Sequence, residues 1–346
     1  MKKIFVVVMA AISLSGCSQK KEEQQLLNHK QEKTMSDISK YIFPEAKDIT
    51  EANFVEKVSS QIKYYDKEPL YYFRIQKQNS LVRVYVNNIN VYDDYELSNV
   101  ITPTEINNIL KSGPQTVTVK MYPVGDLINK DLGLENGTPA TKLSDKAKVD
   151  ISVVMMDKKS KKSFDDEKVI TTQVSSKEAV GKEFYEFSFT FNAEVPYQFE
   201  GWTKGQDIKK LNQTLVQKKA VEFYEMVGKM YLNKDINSLI KLDYLSNVRT
   251  MASLYADKQY ISEFLDEYRN DVQNYQYNMS PIQDFDIEYM GDGRLLRLVN
   301  RSQRSKLRGG SALLLSYGKN GTFAPEVTLY LPEGRDLATQ GFMMWK

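Results

Sequence analysis

Asp284, Asp286 and Glu288 recur at every second position just ahead of Asp292-Gly293. On an extended strand this spacing sets the three side chains along one face, about 6–7 Å between neighbours. Two free carboxyls so placed could divide the roles of acid and nucleophile in glycoside hydrolysis. The residues that follow answer them with cations at Arg294, Arg297 and Arg301. With Asp292-Gly293 as a two-residue hairpin turn, Tyr289 faces Leu296 and Ile287 faces Leu298. The other face then pairs Glu288 with Arg297 and Asp284 with Arg301. Each opposite-charge pair contributes roughly 0.2–1 kcal/mol. Ion pairing keeps carboxyls ionised, so the pattern predicts a solvated charge ladder and not a catalytic pair.

Cys17 is the only cysteine and His29 the only histidine. His29 lies in a polar stretch, so imidazole acid–base chemistry, Ser-His-Asp catalysis and two-histidine zinc sites are excluded. Carboxylates, Lys, Tyr, a Ser-Lys pair or oxygen-bound calcium remain, yet neither an EF-hand loop nor H-E-x-x-H is present. The expectation is no catalytic residue, no metal and no cofactor. The 47 basic side chains are balanced by 45 acidic ones, which leaves no footprint for nucleic acid.

At the N-terminus, Lys2 and Lys3 precede an apolar run from Ile4 to Ile12, too short to span a bilayer permanently. Leu14-Ser15-Gly16-Cys17 closes it and resembles the lipobox of bacterial lipoproteins. That resemblance implies cleavage between Gly16 and Cys17 and acylation of Cys17 with palmitate-like chains, several of which together anchor stably. Ser18 in place of an aspartate then points to the outer membrane, with the folded part facing the periplasm. Lys21-Glu22-Glu23 resembles the basic-then-acidic signal of surface-exported Bacteroidetes lipoproteins, which makes the cell surface the alternative. Once Cys17 carries lipid, no thiol is left for a disulfide or a metal.

A second group of candidates is basic. Arg301, Arg304, Lys306 and Arg308 fall in a connection between strands, with no acidic residue nearby in sequence to balance them. They suit docking of an acidic partner, a lipid headgroup or a polyanion, or else a solvated loop. Lys158 to Lys162 followed by Asp165-Asp166-Glu167 reads as a solvated connection.

The elements that must position these residues fall into four segments: 1–16 as signal peptide, 17–47 as lipidated cysteine and tether, 48–200, and 207–346. Ser18 to Lys33 is polar and cannot bury enough surface to fold alone. Thr50 opens a helix with Phe54, Val58, Ile62 and Tyr65 on one face. Period-two stretches follow at Leu70–Gln76, Leu81–Asn87, Thr116–Tyr122, Val149–Met155, Lys168–Val174 and Phe184–Val195, predicting a mainly β, antiparallel sandwich. From Asp207 the period becomes helical. Val216, Ala220, Phe223, Val227 and Tyr231 form one stripe. Asp235 caps a helix ending near Leu245, and a third runs from Asn247 through Met251, Tyr255, Phe264, Tyr268 and Val272. Their Met and Tyr residues read as core, with a ligand pocket as the alternative. Strands then close the chain as a meander with a second turn at Gly318-Lys319-Asn320-Gly321. Three helices followed by a curled antiparallel sheet resemble the NTF2-like cone fold, an α+β arrangement whose members often enclose a pocket.

Together these features predict a non-catalytic, membrane-tethered protein that binds another protein. The layout loosely resembles envelope immunity lipoproteins, which implies a secreted toxin acting in the periplasm as partner. The alternatives are an assembly lipoprotein with an envelope protein as partner and, third, a hydrolase using carboxylates alone.

Overall fold

Apolar residues alternate with polar ones through Leu81-Val82-Arg83-Val84-Tyr85-Val86, and the strand they form buries Val82, Val84 and Val86 completely. The computed structural model describes residues 38–97, 102–134, 136–160, 166–302 and 306–346. The expected signal segment, Gly16, Cys17, most of the expected tether and Arg304 lie outside the described residues. Two four-stranded antiparallel sheets make up the first half. One runs β4 (Thr102–Glu105), β1 (Pro69–Gln78), β6 (Lys148–Asp157), β7 (Lys168–Val174). The other runs β3 (Ile89–Asp94), β2 (Leu81–Val86), β5 (Gly113–Tyr122), β8 (Tyr185–Ala193). Phe73, Ile75 and Ile151 from the first meet Val84, Val119 and Met121 from the second in one core, the arrangement of a β-sandwich.

The strands at β3 and β4 are additional to those expected from period-two patterning. Asn87 and Asn88 stand at φ 50° and 63°, the paired left-handed conformation of a type I′ turn, which asparagine tolerates well. The turn folds β3 back along β2. Asn107 extends a sheet edge with its side chain. Its Oδ1 accepts from the Tyr71 N–H at 2.7 Å and its Nδ2 donates to the Tyr71 carbonyl at 3.1 Å.

The second half is α+β. Three helices, α3 (Gln213–Leu232), α4 (Ile236–Ser253) and α5 (Lys258–Gln273), begin at Asn212, Asp235 and Asp257, and each cap side chain accepts a backbone N–H from the first turn. The expected break near Leu245 is absent. No Gly or Pro interrupts Ser246-Asn247, so α4 continues to Ser253, and the turn falls at Leu254-Tyr255-Ala256 with Tyr255 at φ 51°. Tyr255 therefore sits in a corner, fully buried, its ring against Tyr65 and Tyr197 in the sandwich core. The N-terminal helix is shorter than expected, α1 (Phe54–Ser59), and Phe54 stacks on Phe264 of α5; α2 (Leu127–Asp131) is a short helix after β5.

The terminal strands form two small sheets instead of one meander. One orders β10 (Phe285–Met290), β11 (Leu295–Asn300), β14 (Leu329–Tyr330) and β15 (Met343–Met344); the other orders β13 (Gly321–Phe323), β12 (Leu315–Tyr317) and β9 (Asn278–Met279). The β10–β11 register is the expected one, with Tyr289 opposite Leu296, Ile287 opposite Leu298 and Glu288 opposite Arg297. Pairing stops at Met290 and Leu295, so the turn is a wider loop with Asp292 at φ 59°. Tyr224 ties α3 to the sheet: its hydroxyl donates to the Val327 carbonyl at 2.5 Å and accepts from the Leu298 N–H at 2.8 Å.

Residues 41–346 form one compact unit that includes both the 48–200 and 207–346 segments. Of the expected tether, residues 41–47 already belong to it, because Ala46 is fully buried and Tyr41 sets its ring edge-on to Phe223. Lys158 is not the solvated loop residue its charged neighbours suggest. Its Nζ donates to the Leu254 carbonyl at 3.1 Å and the Tyr255 carbonyl at 2.5 Å, which satisfies the otherwise open end of α4.

Candidate ligand cleft

Glu288 and Arg297 do pair across the hairpin, but the pair is buried, contrary to the solvated ladder the alternation predicts. Strands β2 and β3 lie over that face and supply a second pair. Arg83 Nη2 reaches Glu288 Oε1 at 2.8 Å, and its Nε reaches Asp93 Oδ1 at 2.6 Å. Arg297 Nε reaches Glu288 Oε2 at 2.6 Å, and its Nη2 reaches Asp93 Oδ2 at 2.9 Å. Cation and anion alternate around a closed ring, every side chain at most 15% exposed. Tyr85 donates to Glu288 Oε1 at 2.8 Å, and Asn90 fills the remaining gap between Arg297 and Asp93. Desolvation pushes the Glu288 carboxyl up, but Arg297, Arg83 and Tyr85 outweigh it, and the net direction is down. A carboxyl held ionised in this way is a poor general acid. Asp286 is exposed and pairs with Arg301 at 3.8 Å, while Asp284 precedes β10 in a left-handed turn and gives Arg301 only its backbone carbonyl. The Asp284–Arg301 side-chain pair is therefore replaced by Asp286–Arg301.

Beside this ring lies a cavity of about 680 Å³ between β3, α4, the terminal strands and the 306–311 loop. Its walls include Tyr92, Tyr95, Arg249, Lys306, Arg308 and Trp345. Lys306 and Arg308, both expected to meet a partner, are thus brought to one wall. Arg301 stays on the surface beside Asp286. Arg308 lies over the Tyr95 ring at 5.0 Å. Gly309 follows at φ 76°, where a Cβ would run into that ring. A second cavity of about 490 Å³ adjoins, walled by Asn87, Asn88, Gln198, Phe199 and Trp202. Asn108, Ile109, Arg249 and Trp345 line both.

Arg249 is the residue that sequence reasoning missed. Its guanidinium stacks on Trp345 at 3.8 Å, and Nη2 donates to the Trp345 carbonyl at 2.8 Å. Nε is shut off from water and has no hydrogen-bond partner. Among the described residues no carboxylate pairs with Arg249, Lys306 or Arg308. By contrast, Asp93 is in the ring, Asp94 pairs with Lys77 at 3.2 Å, and Glu326 pairs with Lys346. Desolvation pulls the Arg249 pKa down to about 10, which leaves it charged at neutral pH. One signal was legible: Arg249 is the only arginine between 213 and 253, with no acidic residue three or four positions away to receive it.

Among the described residues, no group of three His, Cys, Asp or Glu side chains is placed to hold a metal ion, and no helix is long and apolar enough to cross a membrane. No protein-family model, curated protein or solved structure matches the chain.

Proposed function

We propose that the protein is a lipid-tethered, non-catalytic binding protein of the outer envelope, and that a protein partner docks at the cleft between its two halves. The observation that carries this reading is Arg249, part-buried at the cavity wall with no carboxylate partner among the described residues, with exposed Lys306 and Arg308 on the same wall. Withdrawing a cation from water without an anionic partner is costly, so Arg249 primes the cleft for an acidic group. Glu288 alongside is held ionised by Arg297 and Arg83, which supports binding over hydrolysis. The lipobox resemblance at Leu14-Ser15-Gly16-Cys17 supports the tether. An immunity protein against a toxin reaching the periplasm is the specific version we favour. The three helices against a small antiparallel sheet support the NTF2-like likeness.

The test is comparative capture. The immobilised chain, as wild type and as Arg249→Met, is exposed to envelope extract and to contact-secreted material. A secreted toxin held by wild type and lost from the variant is the expected result. A resident envelope protein in its place would favour the assembly role, and capture of nothing by wild type contradicts the binding reading.

A further inference from the structure

We propose that Arg249 is the receptor for a single carboxylate of the bound polypeptide, an acidic side chain or a chain-terminal carboxylate, which enters the cavity and docks against the guanidinium on Trp345. The proposal rests on the partner-binding reading above and names the chemistry of that contact.

The free protein leaves Arg249 in deficit. Of its N–H groups, only Nη2 has a partner among the described residues, a neutral carbonyl. Trp345 covers one face of the guanidinium plane, and Nε is sealed. The remaining donors are the other N–H groups of Nη1 and Nη2, which share the plane of the guanidinium. A planar carboxylate matches such a fork with two parallel hydrogen bonds. Phosphate fits less well for reasons of charge. Asp93, Asp94, Glu96, Glu105 and Glu326 line the same cavity, and a dianion is repelled by them more strongly than a monoanion is. Ile89, Val91 and Ile109 make part of the wall apolar, which strengthens an ion pair formed there. Lys306 and Arg308 stand at the 306–311 side of the cavity and add long-range attraction for an incoming anion.

Arg249 acts through contact with ligand, not as a structural post, and this distinction can be measured. A structural arginine destabilises the free protein when removed. A receptor arginine without an anionic partner does so little, because Arg249→Met removes a part-buried charge whose contacts are only the neutral Trp345 carbonyl and ring, and keeps an apolar stem on that ring.

The experiment uses intrinsic fluorescence, since the protein has two tryptophans and both Trp202 and Trp345 line the cavities. The full chain is titrated at constant ionic strength with N-acetyl-glutamate amide (side-chain carboxylate), N-acetyl-alanine (terminal carboxylate), neutral N-acetyl-glutamine amide and inorganic phosphate. A saturable signal with either carboxylate is expected, and which of the two binds tighter identifies the source. Arg249→Met should weaken it roughly tenfold or more, the size of a charge-assisted contact, with the melting temperature of the free protein unchanged or raised. Arg249→Lys keeps the charge without the fork and should fall between. Lys306→Gln should weaken binding only a few-fold. An equal response to the neutral amide, tighter binding of phosphate, no carboxylate response, or undiminished binding by Arg249→Met and Arg249→Lys would each overturn the proposal. The titration contains no protein partner, so its outcome stands apart from that of the capture experiment.

Discussion

Glu288 meets two arginines and a tyrosine hydroxyl in a space nearly closed to water. Removing one member of such a ring strands the others, so Glu288→Gln is expected to cost about 3–5 kcal/mol in a denaturant titration. Its depressed pKa contributes stability present above the unfolded value near pH 4.5 and lost as pH falls through the lower folded value. Glu288→Gln should accordingly flatten the acid limb of the stability profile. Asp243 behaves in the opposite sense. Among the described residues it has no cation partner and pairs with the Tyr268 hydroxyl at 2.6 Å, and desolvation raises its pKa to about 6. A raised folded pKa means stability is fully present below the unfolded value of 3.8 and lost as pH rises through about 6. Asp243→Asn should thus stabilise the protein by on the order of 1–3 kcal/mol at pH 7 and change little at pH 4, read by thermal melts at both. Pairing of Glu288 with Arg297 was legible because a hairpin fixes who faces whom. The burial of that pair was not, because Arg83 and Asp93 are about two hundred positions away and no local pattern announces them.

Among elements, the hairpins show what local chemistry settles. In β10–β11 an alternating pattern and a glycine turn agree, and the register follows. The β2–β3 turn carries the same information in Asn87-Asn88, but asparagine pairs are less distinctive than Asn-Gly, and β3 ends in Asp93-Asp94, which reads as loop. The β2–β3 tip also touches the β10–β11 turn, where Asn88 Nδ2 donates to Asp292 Oδ1 at 2.7 Å and Gly291 N–H donates to the Asn88 carbonyl at 3.0 Å. Asn88→Val forces a β-branched residue into the left-handed region and is expected to cost about 1–3 kcal/mol, whereas Asn88→Gly should cost much less. Equal losses in urea melts would show that the side-chain bond to Asp292, not the turn conformation, sets the energy. The end of α4 illustrates a limit of periodicity. Apolar spacing carries through both α4 and α5, so only the Asp257 cap and the left-handed Tyr255 locate the corner.

For the whole molecule, the ion ring, Tyr255 in the sandwich core and the Lys158 cap on α4 bind the two halves into one unit. A single cooperative unfolding transition by calorimetry and by tryptophan fluorescence is expected, and two separated transitions would show the halves to be energetically independent. The mainly β first half and the α+β second half were readable from the change of hydrophobic period at Asp207. The cleft was not readable, since its walls come from stretches of chain spread between Ile89 and Lys346, and the missing acidic neighbour of Arg249 on its helix does not by itself reveal a cavity. The anchoring expectation carries its own check: labelling with an alkyne palmitate should mark the wild-type chain and not Cys17→Ser.

The central claim is that a protein partner occupies this cleft. It is tested most directly by placing a photo-crosslinking amino acid at Lys306 in the full chain in living cells, with a second chain carrying it at exposed Val169 on β7. One defined protein crosslinked from position 306, absent from 169 and diminished by Arg249→Met, is the predicted result. A partner crosslinked from 169 and not from 306, or an undiminished 306 crosslink in the Arg249→Met background, would contradict it.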